Sequence, residues 1–249
     1  MSTYELAIQV HGSIEAMEKA QLQDIENELL NKMNIIHNVD CLEFMKQVPD
    51  NYFDLVLTDP PYGINAAKKG SVGGGSHRGK AKDFGAKEWD SEIPPKEVFD
   101  EIKRISKHQI IFGGNYFVEH LENTRCFLTW YKHENLPDRT FANSELAWTN
   151  FDKNSHVYCF QWDGFIQQDM MNKETRQHPT QKPTELFKMI LRDYAIKLDK
   201  KTVFDPFMGS GTTALACKSL GLEWCGCELE ADYVAIANKR LEAVQGSLF

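Results

Sequence analysis

Between residues 202 and 244 the hydrophobic pattern changes period three times. Thr202–Asp205 and residues 223–228 are short apolar runs of strand length, each leading into a stretch with helical spacing, Thr212–Leu220 and then 232–244. Strand, helix, strand, helix with connections this short has few solutions: the strands lie parallel and the helices cross over their sheet. The same alternation runs upstream. Residues 35–39 and Phe53–Thr58 read as strands around a 41–48 helix, and a 95–107 helix leads to a strand at 109–112 and a Gly113-Gly114 turn. Residues 126–131, Ser144–Thr149 and 157–161, rich in aromatic and β-branched side chains, read as further strands. A helix follows over 183–196, with proline in its first turn. The expected fold is α/β, a doubly wound, mostly parallel sheet whose ligand site lies at the carboxyl ends of the strands.

At 249 residues, 42% of them hydrophobic, the chain has material for one large domain with a small appendage and is too apolar to be disordered. The longest unbroken apolar run, Tyr233 to Ala237, is five residues, far short of a membrane span. No charged-then-apolar leader opens the sequence, so a cytoplasmic location is expected. The six cysteines (41, 126, 159, 217, 225 and 227) contain no C-x-x-C pair, which argues against zinc and against a disulfide framework, and no metal is expected. Residues 13–33 set Ile14, Met17, Leu22, Ile25, Leu29 and Met33 at helical spacing and predict an amphipathic helix, packed on the domain or used to form a homodimer.

The formal charge of −8 argues, taken alone, against a nucleic-acid partner. Its distribution argues the other way. Residues 65–87 hold Lys68, Lys69, Arg78, Lys80, Lys82 and Lys87 against Asp83 alone, a local +5 in a chain whose remainder carries −13. Six glycines in the same segment predict a long basic loop that packs as neither helix nor strand. Binding to backbone phosphates needs a local positive patch, not a positive protein.

The clearest ligand turn is Asp205-Pro206-Phe207-Met208-Gly209-Ser210-Gly211-Thr212-Thr213, where a strand ends and a helix begins. Gly209 and Gly211 let the backbone approach a ligand closely. No lysine follows the second glycine, which excludes a triphosphate loop, and the third glycine of a dinucleotide fingerprint is missing. A nucleoside-like ligand without a pyrophosphate remains. About twenty residues on, the next strand ends at Glu228, a carboxylate placed to accept ribose hydroxyls.

The second site is Asp59-Pro60-Pro61-Tyr62, at the end of the apolar strand Phe53–Thr58. Two prolines fix the backbone and end strand pairing. This suits a planar amine, whose lone pair is delocalised into its ring. Asp59 and the carbonyl of Pro60 can accept its two N–H hydrogens and free that lone pair for attack, while Tyr62 offers a face for an extruded base.

With these residues the sequence resembles the S-adenosylmethionine-dependent DNA amino-methyltransferases. The resemblance rests on D-P-P-Y at 59–62, D-P-F-x-G-S-G-T-T at 205–213, G-x-E-x-x-x-x-Y from Gly226 to Tyr233, and H-P-T-Q-K-P at 178–183, and it spans roughly residues 34–244. The tetrad precedes the cofactor turn, the order of the permuted beta class. The resemblance implies a Rossmann-like domain over 34–249, with a basic loop at 64–90 and a short target-recognition stretch near 152–177, behind an N-terminal helical extension at 1–33. It implies that Asp59, Pro60, Pro61 and Tyr62 are catalytic and hold the target base. It assigns S-adenosylmethionine to Asp205, Phe207, Gly209, Gly211, Thr212 and Glu228, with Asp40 and Cys41 near its adenine and Thr180 and Lys182, beside His178, near its methionine end. Asp59 borders both ligands. Double-stranded DNA is the implied partner, met by Lys68, Lys69, Arg78, Lys80 and Lys82. Glu88-Trp89-Asp90 also resembles a family signature. An aspartate in the tetrad favours adenine N6, since relatives acting on cytosine N4 more often carry serine there. The motif order favours DNA over RNA.

Overall fold

The computed structural model describes residues 28, 31–65, 71–72, 82–83, 90–132, 142–163, 166–178 and 180–244. The chain divides into two compact units, Met1–Ile35 and Ile36–Phe249. In the first, Lys32 pairs with Glu28 one helical turn away at 3.0 Å; most of the expected 13–33 helix lies outside the described residues.

The second unit opens with β1 (Ile36–His37), α1 (Cys41–Met45), β2 (Phe53–Thr58), β3 (Ser71–Val72) and β4 (Lys82–Asp83). It continues through α2 (Lys96–Ile105), β5 (Ser106–Phe112), a 3-10 turn at Gly114–Tyr116, β6 (Phe127–Tyr131), β7 (Ser144–Thr149) and β8 (His156–Cys159). After β9 (Trp162–Asp163) and β10 (Ile166–Gln167) come α3 (Thr184–Tyr194), β11 (Thr202–Asp205), α4 (Thr212–Leu220), β12 (Glu223–Cys227) and α5 (Ala231–Ala243). Eight strands form one sheet in the order β1-β12-β11-β2-β5-β7-β6-β8. The first five run parallel, β7 runs antiparallel to β5 and β6, and β8 lies parallel to β6. The doubly wound, mostly parallel expectation therefore holds, with an antiparallel strand inserted beyond β5.

Both faces of the central strands are covered, which is why β2 and β11 read as nearly continuous apolar runs. Leu55, Leu57 and Val203 join Leu186, Ile190 and Ala214 in the main core cluster. Phe204, on the opposite face from Val203, stacks on Phe53 at 4.8 Å and on Phe44 of α1 at 5.6 Å. Helix α4 begins after Gly211 and ends at Gly221, both left-handed, with Leu222 N–H donating back to Cys217 O at 3.0 Å. In α5, Tyr233, Ala237 and Leu241 recur every fourth residue and form the buried stripe.

Several boundaries move. β1 shrinks to two residues because Val39 N–H turns back onto His37 O and Asn38 reaches the carbonyls of Glu228 and Leu229. β5 starts three residues earlier than expected, since α2 passes into it with no loop. Pro183 occupies the N-cap of α3, just outside its first turn. The basic segment is not wholly without strand. Ser71–Val72 and Lys82–Asp83 form an antiparallel ladder, which needs only backbone hydrogen bonds and so escapes a reading based on apolar side chains. Lys68, Lys69, Arg78 and Lys80 lie outside the described residues, and for Lys82 only the backbone is described.

Candidate active site

The carboxyl ends of β1, β12, β11 and β2 open on one cavity of ≈ 1130 Å³. That is at the top of the range for a single small ligand, ~300–1000 Å³, and leaves room for a second. β11 lies hydrogen-bonded beside β2, so the glycine turn and the Asp59 tetrad, 146 positions apart in sequence, emerge side by side. Thr58 Oγ1 donates to Asp205 Oδ1 at 2.7 Å and fastens the two strand ends together.

The turn after β11 is built around Asp205. Its carboxylate, 3% exposed, accepts from Thr58, from Phe207 N–H at 3.0 Å and from Thr213 Oγ1 at 2.5 Å. Burial pushes its carboxyl up to about 6 although three donors pull it down. Asp205 thus shapes the turn as well as lining the cavity. Gly209, at φ +54°, donates its N–H to Glu228 Oε2 at 2.8 Å, and a Cβ there would meet open space. Gly211 differs from expectation. It does not line the cavity; its φ is +88°, and a Cβ would stand 2.8 Å from Ala237 Cβ, so the residue is glycine to let α5 pack.

Glu228 Oε1 accepts Glu230 N–H at 2.8 Å, so both oxygens are fixed by backbone amides, each with a lone pair to spare. Burial raises its pKa above the usual glutamate range. Asp40 lines the cavity and caps α1 through the N–H groups of Leu42 and Glu43, with Cys41 buried beside it. Phe207 and Thr212 also line it. With Asp40, Asp205, Glu228 and Glu230 on one wall, this end is strongly acidic and suits a ligand carrying hydroxyls and positive charge.

At the other end, each oxygen of Asp59 has one partner. Oδ1 accepts from Tyr62 OH at 2.6 Å and Oδ2 from Lys182 Nζ at 2.5 Å. Lys182, 5% exposed, also contacts Glu145 Oε2 of β7 at 3.0 Å, and Glu145 Oε1 pairs with Lys132 at 2.6 Å. Four alternating charges therefore run Asp59, Lys182, Glu145, Lys132. Burial works against charge on Asp59, Lys182 and Glu145. The two carboxylates nevertheless hold the Lys182 ammonium above its ordinary range, and the two lysines hold Glu145 down at about 2. For Asp59 burial wins over Lys182, and its pKa is raised. Burial, with Asp59 alongside, keeps the Tyr62 hydroxyl protonated well above its usual range.

Asp90 supplies the brace under the tetrad. Its buried carboxylate accepts Tyr62 N–H at 2.8 Å and Gly63 N–H at 3.0 Å, fixing the chain as it leaves Pro61. The Tyr62 ring stacks on Tyr116 at 4.8 Å and 15°, so one of the faces expected for a base is already covered. His178 is buried edge-on to Tyr233 at 4.4 Å, and Thr180 turns its hydroxyl back to His178 Nδ1 at 3.1 Å. Lys182, expected beside the methionine end, lines the cavity and pairs with Asp59 of the tetrad.

Beyond β10 the stretch expected to recognise the target closes on itself. Gln167 Nε2 donates to Glu174 O at 2.8 Å and accepts Glu174 N–H at 2.9 Å through Oε1. The Glu174 carboxylate gathers Gln181 Nε2, Thr184 N–H and hydroxyl, and Arg240 of α5, which also donates to the carbonyl of Ser210. Met171 stands 92% exposed between these anchors. Among the described residues no group of three or more His, Cys, Asp or Glu side chains is arranged to hold a metal, and no helix is long and apolar enough to cross a membrane.

Comparison with known proteins agrees with this geometry. The fold is that of the Rossmann-like methyltransferases. The structure of M1.HpyAVI in complex with SAM aligns with a TM-score of 0.50 and 23% identity over 83% of this chain and 98% of that one. The cytosine-N4-specific PvuII DNA methyltransferase aligns at 0.53 and 16%, over 88% and 91%. A family model described as DNA methylase matches residues 122–239. The type II methyltransferase M2.DpnII of Streptococcus pneumoniae is 28% identical over 86% of this chain and 91% of its own. M.HinfI of Haemophilus influenzae is 26% identical, over 86% and 69%. These similarities support an S-adenosylmethionine-dependent DNA amino-methyltransferase, of adenine N6 or cytosine N4.

Proposed function

We propose that this protein methylates the N6 amino group of adenine in double-stranded DNA, using S-adenosylmethionine, after extruding the base from its helix, as the modification partner of a type II restriction system. The observation that carries the reading is the bond between Thr58 and Asp205, which joins the tetrad strand to the glycine-turn strand at the mouth of one cavity. The acidic end fits the cofactor. Glu228 would take the ribose hydroxyls, Asp40 and Cys41 would lie by the adenine, and the open side of Gly209 would admit its backbone. When bound, S-adenosylmethionine supplies a methyl group on a positively charged sulfur.

The chain's own residues handle the acceptor. Asp59 and the carbonyl of Pro60 accept the amine hydrogens and draw nitrogen out of conjugation. Tyr62 and Lys182 hold the carboxylate in place while leaving each of its oxygens one lone pair. Nitrogen carries the positive charge after the transfer until a proton leaves, and Asp59, with its raised pKa, is the adjacent base. Aspartate at position 59, in place of serine, supports adenine, and the tetrad-first order supports the permuted beta class. Lys68, Lys69, Arg78, Lys80 and Lys82 are proposed to meet DNA phosphates.

Incubation with labelled cofactor and duplex DNA, followed by nucleoside analysis, tests the reading. N6-methyladenine is the expected product. N4-methylcytosine would reassign the base, and label in RNA or protein alone would overturn the proposal.

A further inference from the structure

The charges beyond Asp59 are not explained by holding a base. Lys182 alone would orient the carboxylate, yet it is itself gripped by Glu145, and Glu145 by Lys132. These residues come from distant parts of the chain: β2, the approach to α3, β7 and the end of β6. All four side chains are mostly buried, Lys182 at 5%, Lys132 at 16%, Asp59 at 19% and Glu145 at 20% exposure. Buried ion pairs are a poor source of stability, because desolvation opposes them. A chain of four at the reacting end of a cavity therefore calls for a role in chemistry.

Resting on the proposed amine methylation, we propose that Glu145 and Lys132 are positioning residues that, through Lys182, keep the surroundings of the acceptor nitrogen electrically neutral as positive charge arrives there. The two carboxylates and two ammonium groups sum to zero. During transfer the bond from methyl carbon to sulfur breaks and a bond to nitrogen forms with nitrogen's lone pair. Sulfur ends neutral, and nitrogen is cationic until its proton passes to Asp59 or water. A lone lysine beside Asp59 would oppose that cation. Glu145 cancels the lysine's charge without giving up its grip on Asp59, and Lys132 prevents Glu145 from pulling Lys182 away. Glu145 is thereby a rate-determining contact that need not touch the substrate.

Glu145→Gln preserves shape and leaves a net charge of +1 close to the reacting nitrogen. At an effective dielectric constant near 20 and a separation of several ångströms, this slows transfer on the order of 10–100-fold. Adding Lys132→Gln returns the sum to zero, so the double variant should transfer faster than Glu145→Gln alone, although it has lost one more side chain. Charges in contact couple whatever their role, so the recovery must appear in the single-turnover rate and not in stability alone.

The single-turnover rate is measured for wild type, both single variants and the double variant, with DNA KM determined alongside. The thermal midpoint of the cofactor-free protein gives a readout independent of activity, and the double variant should recover part of the stability lost in Glu145→Gln. A rate loss confined to KM, or a double variant no faster than Glu145→Gln, overturns the proposal. If Glu145→Gln does not fold, Glu145→Asp serves: it keeps the charge and should retain most of the rate, and a Gln-like loss refutes the charge argument. A wild-type protein that methylates no DNA defeats the underlying reading instead, so the two failures are distinct.

Discussion

Gly113 closes β5 at φ +72°, its N–H bonded to Leu146 O at 2.8 Å, directly against the ring of Tyr62. A Cβ at this position would stand 2.2 Å from Tyr62 Cε1 and 2.7 Å from Cδ1 and Cζ. Gly113→Ala is therefore a perturbation of the active site made from outside it. Carbon atoms settle near ~3.5–4.0 Å, so the ring must retreat by roughly 1.3 Å or the backbone must move. The ring cannot retreat freely, because its hydroxyl is bonded to Asp59 at 2.6 Å and its face stacks on Tyr116. Left-handed strain on alanine contributes about 1–2 kcal/mol and overpacking about 1–3 kcal/mol, giving a destabilisation of about 2–5 kcal/mol. With Tyr62 holding the base as proposed, a shift of this size lowers kcat on the order of 100-fold. Glu228 and the glycine turn are untouched, so cofactor affinity should stay at its wild-type value. Single-turnover transfer, calorimetric titration with cofactor and thermal denaturation read the three quantities separately. A folded Gly113→Ala protein with wild-type kcat would refute the claim that Tyr62 must sit where it does.

Asp59→Ala should abolish transfer and leave cofactor binding largely intact by the same titration; joint loss would mean that the two ends of the cavity are wrongly divided. Glu228→Gln should weaken cofactor binding about 10–100-fold, the scale of a charge-assisted hydrogen bond. Because burial raises the Glu228 pKa, wild-type affinity should already decline at mildly acidic pH, where an ordinary glutamate stays ionised. Away from the site, Asp54 is held down at about 2: burial opposes its charge, but Lys107 at 2.8 Å and the N–H groups of Lys201 and Thr202 outweigh it. Its folded pKa lies below the unfolded value, so the stabilisation is complete above pH ~4 and vanishes as pH falls towards 2. Asp54→Asn should lower stability by about 2 kcal/mol at neutral pH, and denaturant curves for variant and wild type should converge in acid.

Much of this was readable from local pattern. β2, β7, β11 and α4 fall on the expected residues, because each is a strong period bounded by glycine, proline, asparagine or a charge. The tetrad and the glycine turn were legible as motifs, and the strand order explains why they meet. What stayed hidden comes from partners distant in sequence. Glu145 sits in Ser-Glu-Leu-Ala-Trp-Thr, where one acid in a strand looks like a solvent-facing position; only the approach of Lys182 and Lys132 gives it a role. Gly211 and Gly113 show the same limit. A glycine announces that something comes close, but whether that is a ligand, Ala237 or Tyr62 depends on the packed fold.

The clamp between Gln167 and Glu174 separates two kinds of change in this protein. Residues 168–173 leave and return at almost one point, so their length and content can vary without pulling on the strands that carry the tetrad or the glycine turn. Under the proposed function they form a cassette for reading DNA that can be exchanged beside a fixed machine. Glu174 is the exception. Through Arg240 it is tied to Ser210 within the glycine turn, so a replacement that omits it would loosen the very half it was meant to leave alone.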